Sequence, residues 1–211
     1  MQIELQSLRP YPIPDKFIPK SEVWDKNLLI ESGKKCLLAA QSGKGKSTLL
    51  HILYGLRRDC SGDALLGDRS VFSLTPSDWE EIRKIKVSLL FQDLKLFPKL
   101  SARENIELIP ETNLQAPPID EILTKVGMEQ FFDQPVEQLS FGQRQRIALL
   151  RSLRKPFELL LLDEPFSHLD KENTVLACRL IEETVERNQA SLIISSLGDE
   201  PPLNFDRRFS L

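Results

Sequence analysis

Nine residues, Ala40-Gln41-Ser42-Gly43-Lys44-Gly45-Lys46-Ser47-Thr48, follow a short apolar run at 36–39 and open a stretch of helical spacing. A strand, a glycine-punctuated loop and a helix start in that order make an anion cradle. Backbone N–H groups of residues 43–46 converge on a phosphate there, and the positive end of the helix adds to their field. Within such a loop Ser42 lines the cradle, Lys46 reaches the β- and γ-phosphates, the Ser47 hydroxyl suits Mg²⁺ and Thr48 reaches the α-phosphate. The pattern G-x-x-x-x-G-K-[ST] begins with glycine, and this chain has Ala40 in that place. The added methyl costs on the order of 1 kcal/mol where the backbone needs φ > 0. Lys44 adds a positive charge directed either at phosphate or at solvent.

A second cluster lies at the end of a four-leucine run. Asp163-Glu164-Pro165 follows residues 159–162, so two carboxylates sit where a buried strand emerges. Adjacent carboxylates beside a triphosphate have separable tasks: Asp163 holds Mg²⁺, and Glu164 accepts a proton from the attacking water. Between the two clusters lies Leu139-Ser140-Phe141-Gly142-Gln143, which opens an amphipathic helix. Ser140 and the free N–H groups of that helix start are anion donors.

The elements that carry these groups alternate in type. Apolar alternation at residues 3–5 and 23–30 predicts strands, with a turn at 31–34 before the strand that feeds the loop. Residues 48–56 are the loop's helix. Ser61-Gly62-Asp63 and Leu66-Gly67-Asp68 punctuate short strands, 76–84 is a helix capped near Thr75 or Ser77, and 85–91 is a strand. From 93 to about 155 the texture becomes helical, at 101–108 and 119–126, around a proline-rich connection at 110–118. Strands at 159–162, 191–195 and 207–211 enclose a helix at 173–187. Interleaved strands and helices predict an α/β domain with a mostly parallel sheet, whose ligands bind at the strands' carboxyl ends.

Bulk properties narrow the classes. The 211 residues suffice for one α/β domain carrying an insertion. A net charge of −3 with interspersed basic residues gives no electrostatic footprint for nucleic acid. Cys36, Cys60 and Cys178 are far apart in the chain, which suits small hydrophobes in a reducing compartment rather than a zinc site. No apolar stretch approaches the roughly 20 residues that span a bilayer. The chain is therefore expected to be cytoplasmic and to reach a membrane only through a partner.

Five motifs in order resemble the ATP-binding cassette family nearly end to end. They are the phosphate loop, Gln92 in Leu90-Phe91-Gln92-Asp93, the signature at 139–143, the Asp163-Glu164 strand, and Ser167-His168-Leu169-Asp170. The resemblance implies a P-loop NTPase fold with an N-terminal antiparallel β-subdomain and an inserted α-helical subdomain. It implies one domain over 1–211, with 1–92 and 156–211 as nucleotide-binding core and 93–155 as helical subdomain. It also implies ATP and Mg²⁺ as cofactors and a head-to-tail pair of cassettes, homodimer or heterodimer. In that pair Ser140, Gly142 and Gln143 meet the partner's nucleotide, Gln92 contacts Mg²⁺ and water, and Asp170 couples the two sites. An aromatic ring stacks on adenine, Phe17 or else Tyr11. The family's histidine after the last buried strand is missing, and Ser196 or Leu197 takes its place, so slow hydrolysis is expected. Phe141 replaces a signature glycine.

The resemblance further implies a transmembrane permease partner on the inner face of the membrane, docking near 91–98. The 92–105 region is similar to lipoprotein-releasing and macrolide-export ATPases, which implies export. Two other readings compete: a nucleotide-binding assembly module with little turnover, and a soluble non-transport cassette.

Overall fold

The computed structural model describes residues 1–109, 118–198 and 200–211. Two sheets organise it. Strands β1 (Ile3–Pro10), β2 (Asn27–Ile30), β4 (Cys60–Leu66) and β5 (Arg69–Ser70) form an antiparallel sheet in the order β2-β1-β4-β5. A second, parallel sheet has the order β6-β7-β8-β3-β9, from β6 (Val87–Leu90), β7 (Leu159–Asp163), β8 (Ser191–Ser196), β3 (Lys35–Ala39) and β9 (Arg207–Ser210). Helices α1 (Lys46–Leu53), α2 (Pro76–Ile85) and α6 (Lys171–Arg187) connect strands, and α3 (Ala102–Glu107), α4 (Ile119–Lys125) and α5 (Phe141–Arg154) lie between β6 and β7.

The parallel sheet is buried on both faces, and its side chains alternate between two cores. Leu159, Leu161 and Ile193 pack with the antiparallel sheet and α1, whereas Leu160, Leu162 and Ile194 pack with α5 and α6. All four leucines of β7 are 0 % exposed. Each such burial contributes about 1.5–3 kcal/mol, so the run fixes β7 in the middle of the domain. The consequence for chemistry is positional. Gln92, Asp163-Glu164, Ser195-Ser196 and Ala40 leave the carboxyl ends of four neighbouring strands at one edge.

Three local expectations need correction. Residues 23–30 do not form one strand: the Ser21 hydroxyl accepts the N–H groups of Val23 (3.1 Å) and Trp24 (2.9 Å), the chain turns at Asp25 with φ 56°, and only Asn27–Ile30 pairs. Ser61-Gly62-Asp63 is not a break but lies inside β4, opposite a register shift in β1 around Ser7 with φ 48°. The loop's helix runs over Lys46–Leu53, two residues earlier at its start and three at its end than its apolar spacing indicates. The proline-rich connection lies, except for Pro118, outside the described residues.

Candidate functional site

The phosphate loop is braced from the antiparallel side. Gly45 has φ 100°, and a Cβ there would stand 2.7 Å from Ile13 Cδ1 and 2.9 Å from Trp24 Cζ2. Trp24 is fully buried and its indole N–H donates to the Lys44 carbonyl at 3.1 Å. The positive φ angles of the loop fall on Gly43 and Gly45, not on Ala40, so the methyl of Ala40 meets no backbone penalty. Ser42 and Gly43 are exposed, Ser47 is half-buried, and Thr48 is buried with its hydroxyl accepting from Arg57 at 3.5 Å.

Lys46 occupies the centre. Its ammonium donates to the carbonyls of Ala40 (2.7 Å) and Gln41 (3.4 Å) and stands 3.3 Å from Glu164 Oε1. Gln92 Nε2 donates to the other oxygen, Glu164 Oε2, at 3.3 Å. Glu164 itself has φ 50°, an unusual conformation for a side chain with a Cβ. Two buried side chains hold that turn: Ser195 Oγ accepts the Glu164 N–H at 2.9 Å, and Gln145 Nε2 donates to the Glu164 carbonyl at 2.9 Å. Asp163 Oδ1 accepts from Ser195 at 2.6 Å, while Asp163 Oδ2 is buried without a hydrogen-bond partner. A buried carboxylate oxygen left open beside a phosphate loop fits a hard divalent cation, which takes oxygen ligands.

The other expected residues fall into two places. Phe17, in a 3-10 turn at Asp15–Lys20, has the Lys44 ammonium 5.9 Å from its ring, so Lys44 leans over Phe17. Tyr11 is 70 % exposed. At the signature, Ser140 caps α5 in a reciprocal box: its hydroxyl accepts the Gln143 N–H at 3.3 Å, and its own N–H donates to Gln143 Oε1 at 2.8 Å. Gly142 lies so close to the loop after β7 that a Cβ would meet the His168 carbonyl at 2.7 Å. Phe141 packs against the His168 ring at a tilt of 58°, with centroids 4.1 Å apart. Asp170 caps α6, accepting from the Asn173 backbone and side-chain amides, both at 2.8 Å, and these bonds hold its carboxyl below the usual range.

Neither histidine lies on the strand edge after β8. His51 is on α1 beside Phe91, and burial lowers its pKa below the usual imidazole value, which favours the neutral ring. Ser196 pairs with Ala39, its carbonyl accepts the Ala40 N–H at 3.1 Å, and its hydroxyl accepts the Gly198 N–H at 3.3 Å. A cleft of about 660 Å³ flanks Glu164 and Ser196 and is walled by Phe166, Val175 and Pro201; the loop residues 41–48 do not line it. Burial pushes the Cys36 thiol up to about 11 and the Cys178 thiol up to about 12, which disfavours their reactive thiolate forms.

Sequence reasoning did not single out Trp24, Gln145 or Ser195. The Gln-x-Gln spacing at 143–145, two amides of which one must face inward on a helix, was the available signal for Gln145.

A family model described as ABC transporter matches residues 24–167, more than half of the chain. This chain belongs to the ABC transporter family. It is 32 % identical over 173 residues to the thiamine import ATP-binding protein ThiQ of Haemophilus influenzae, covering 80 % of this chain and 78 % of that one. It is 35 % identical over 175 residues to the lipoprotein-releasing system ATP-binding protein LolD of Buchnera aphidicola, covering 81 % and 76 %. The fold is similar to a dimeric post-hydrolysis state of the ATP-binding cassette MJ0796 bound to ADP and Pi, with a TM-score of 0.76 and 25 % identity over 93 % of this chain and 88 % of that one. The ABC cassette described here is thus an ATP-binding and ATP-hydrolysing subunit that uses ATP with Mg²⁺. Among the described residues no helix is long and apolar enough to cross a membrane.

Proposed function

We propose that this cassette is one domain, with 1–92 and 156–211 binding nucleotide and 93–155 forming the helical subdomain, and that two cassettes close head to tail on ATP. The loop amides of 43–46, with Lys46 and Thr48, hold the triphosphate, and Phe17 backs the base. Ser47, Gln92 and Asp163 hold Mg²⁺, which neutralises charge on the β- and γ-phosphates when bound. Glu164 takes the proton of the attacking water. Ser140, Gly142 and Gln143 present the exposed start of α5 to the partner cassette's nucleotide, and Asp170 sets the loop between the two sites. The observation that carries this reading is the buried meeting of Lys46, Glu164 and Gln92 beside the open oxygen of Asp163.

Ser196 stands for the family's histidine. A hydroxyl carries no positive charge and is shorter than an imidazole, so its contact with the γ-phosphate is weak and turnover is slow. The relatives named for thiamine import and lipoprotein release support a membrane permease as partner, with the cassette peripheral on the cytoplasmic face. Phe97, 55 % exposed beside the buried Leu94, supports docking of that partner on the segment after Gln92.

Steady-state ATP turnover of the native chain, Glu164→Gln and Ser196→His tests the roles. The expected order is Ser196→His above native, and native at least about a hundredfold above Glu164→Gln. Equal rates in all three refute the assignment.

A further inference from the structure

Ser195 follows the buried apolar run 192–194 of β8 and is itself 1 % exposed. It lies in register with Asp163 of β7. A serine hydroxyl has one proton and two lone pairs. Here the proton goes to Asp163 Oδ1 at 2.6 Å, and a lone pair takes the Glu164 N–H at 2.9 Å. The first bond fixes the plane of the Asp163 carboxylate and leaves Oδ2 as the oxygen without a partner. The second holds the backbone of Glu164, whose φ of 50° needs support from its surroundings. One side chain therefore orients two adjacent carboxylates, one through its carboxyl group and the other through its backbone.

We propose that Ser195 is a positioning residue for catalysis: its hydroxyl aims Asp163 Oδ2 at the magnesium position and sets the turn that points Glu164 toward the γ-phosphate. The proposal rests on the roles given to Asp163 and Glu164 above, and Ser195 acts through its bonds to those two residues. Removing the hydroxyl frees the carboxylate to rotate and leaves the Glu164 N–H without its acceptor. The first effect bears on metal binding through Asp163 and the second on proton acceptance by Glu164, and neither touches the amides proposed to grip the phosphates.

The test uses Ser195→Ala, Ser195→Thr and Asp163→Asn in the full chain. ATP affinity is measured by calorimetry with excess Mg²⁺ and again with EDTA, Mn²⁺–ATP complexes are examined by electron paramagnetic resonance, and turnover and thermal melting are recorded. Loss of one charge-assisted hydrogen bond lowers the magnesium-dependent gain in ATP affinity about tenfold in Ser195→Ala. The affinity in EDTA stays at the native level, the Mn²⁺ spectrum changes, and kcat falls at least about tenfold. Ser195→Thr keeps the hydroxyl and restores all of these. Three outcomes overturn the proposal: a native metal dependence and kcat in Ser195→Ala; an equal loss of affinity with and without metal; or a Ser195→Thr variant that melts like the native chain yet stays impaired. A native metal dependence in Asp163→Asn instead overturns the role of Asp163 itself, and so separates failure of the underlying reading from failure of the inference.

Discussion

Lys46 Nζ and Glu164 Oε1 stand 3.3 Å apart with both side chains at least nine-tenths buried, so the residue proposed to grip phosphate and the residue proposed to receive the water's proton neutralise each other. On the proposed roles, a γ-phosphate entering the cradle takes Lys46 from this pair, and nucleotide binding releases the carboxylate for hydrolysis.

Glu164→Gln removes that competition. ATP affinity in the variant is expected to rise about tenfold, a change of about 1.4 kcal/mol, while turnover is lost. Calorimetry beside a phosphate-release assay checks both, and an unchanged or weaker affinity contradicts a competing ion pair.

The brace behind the loop gives a second expectation. At Gly45 a side chain meets both a positive φ and the Ile13–Trp24 wall, whereas at Gly43 it meets only the positive φ, with nothing within 4 Å. Gly43→Ala should lose about 1–2 kcal/mol of stability from the left-handed backbone. Gly45→Ala should lose that and a further 1–3 kcal/mol or so from overpacking, and with it ATP binding. Denaturant unfolding ranks the two, and equal midpoints would show that Trp24 yields.

The loop was legible because its chemistry is local: strand, cradle and helix start within nine residues, and the four leucines of β7 announce a strand buried on both faces. The supports were not, because each is a bond between segments distant in sequence, Trp24 to Lys44, Gln145 to Glu164 and Ser195 to Asp163. Composition misled in two places for definite reasons. The apolar pair Val23-Trp24 looks like strand until the Ser21 hydroxyl turns it, and Gly62 in β4 looks like a turn because a bulge uses the same residue types. The lack of a histidine after residue 195 is plain in the sequence, whereas the hydrogen bond between Ser196 and Gly198 depends on how the chain turns after β8.

Gln145 links the signature helix to the turn that carries Glu164. It is 2 % exposed, donates to the Glu164 carbonyl and to Ser167 Oγ (3.3 Å), and accepts the His168 N–H at 3.1 Å. Gln145→Leu keeps the packing and removes all three bonds, at a cost of about 1–3 kcal/mol in stability. Its kcat is expected to fall at least about tenfold while ATP affinity stays within a few-fold of native, because the phosphate loop is untouched. Gln145→Glu retains the acceptor for His168 but not the donors and should show the same fall; a native kcat in it would place the role in the His168 bond alone.

The last expectation concerns pH. Lys155, at the end of α5, donates to the Arg83 carbonyl with its ammonium 6.0 Å from the Tyr54 ring, and burial followed by the nearby Arg83 charge lowers its pKa to about 8. An unfolded lysine titrates near 10.4. Between those values the unfolded chain binds more protons than the folded one, so this residue's contribution makes stability rise with pH there, by at most about 1.4 kcal/mol per pH unit. Well below pH 8, by about pH 6.5, both states are protonated and the slope vanishes. Lys155→Met removes the titration, so the stability of the native chain relative to this variant should climb from pH 8 to 10 and stay nearly flat from pH 5.5 to 6.5. Urea unfolding at those four pH values reads it, and parallel profiles would mean that the Lys155 ammonium is as well solvated in the folded cassette as in the open chain.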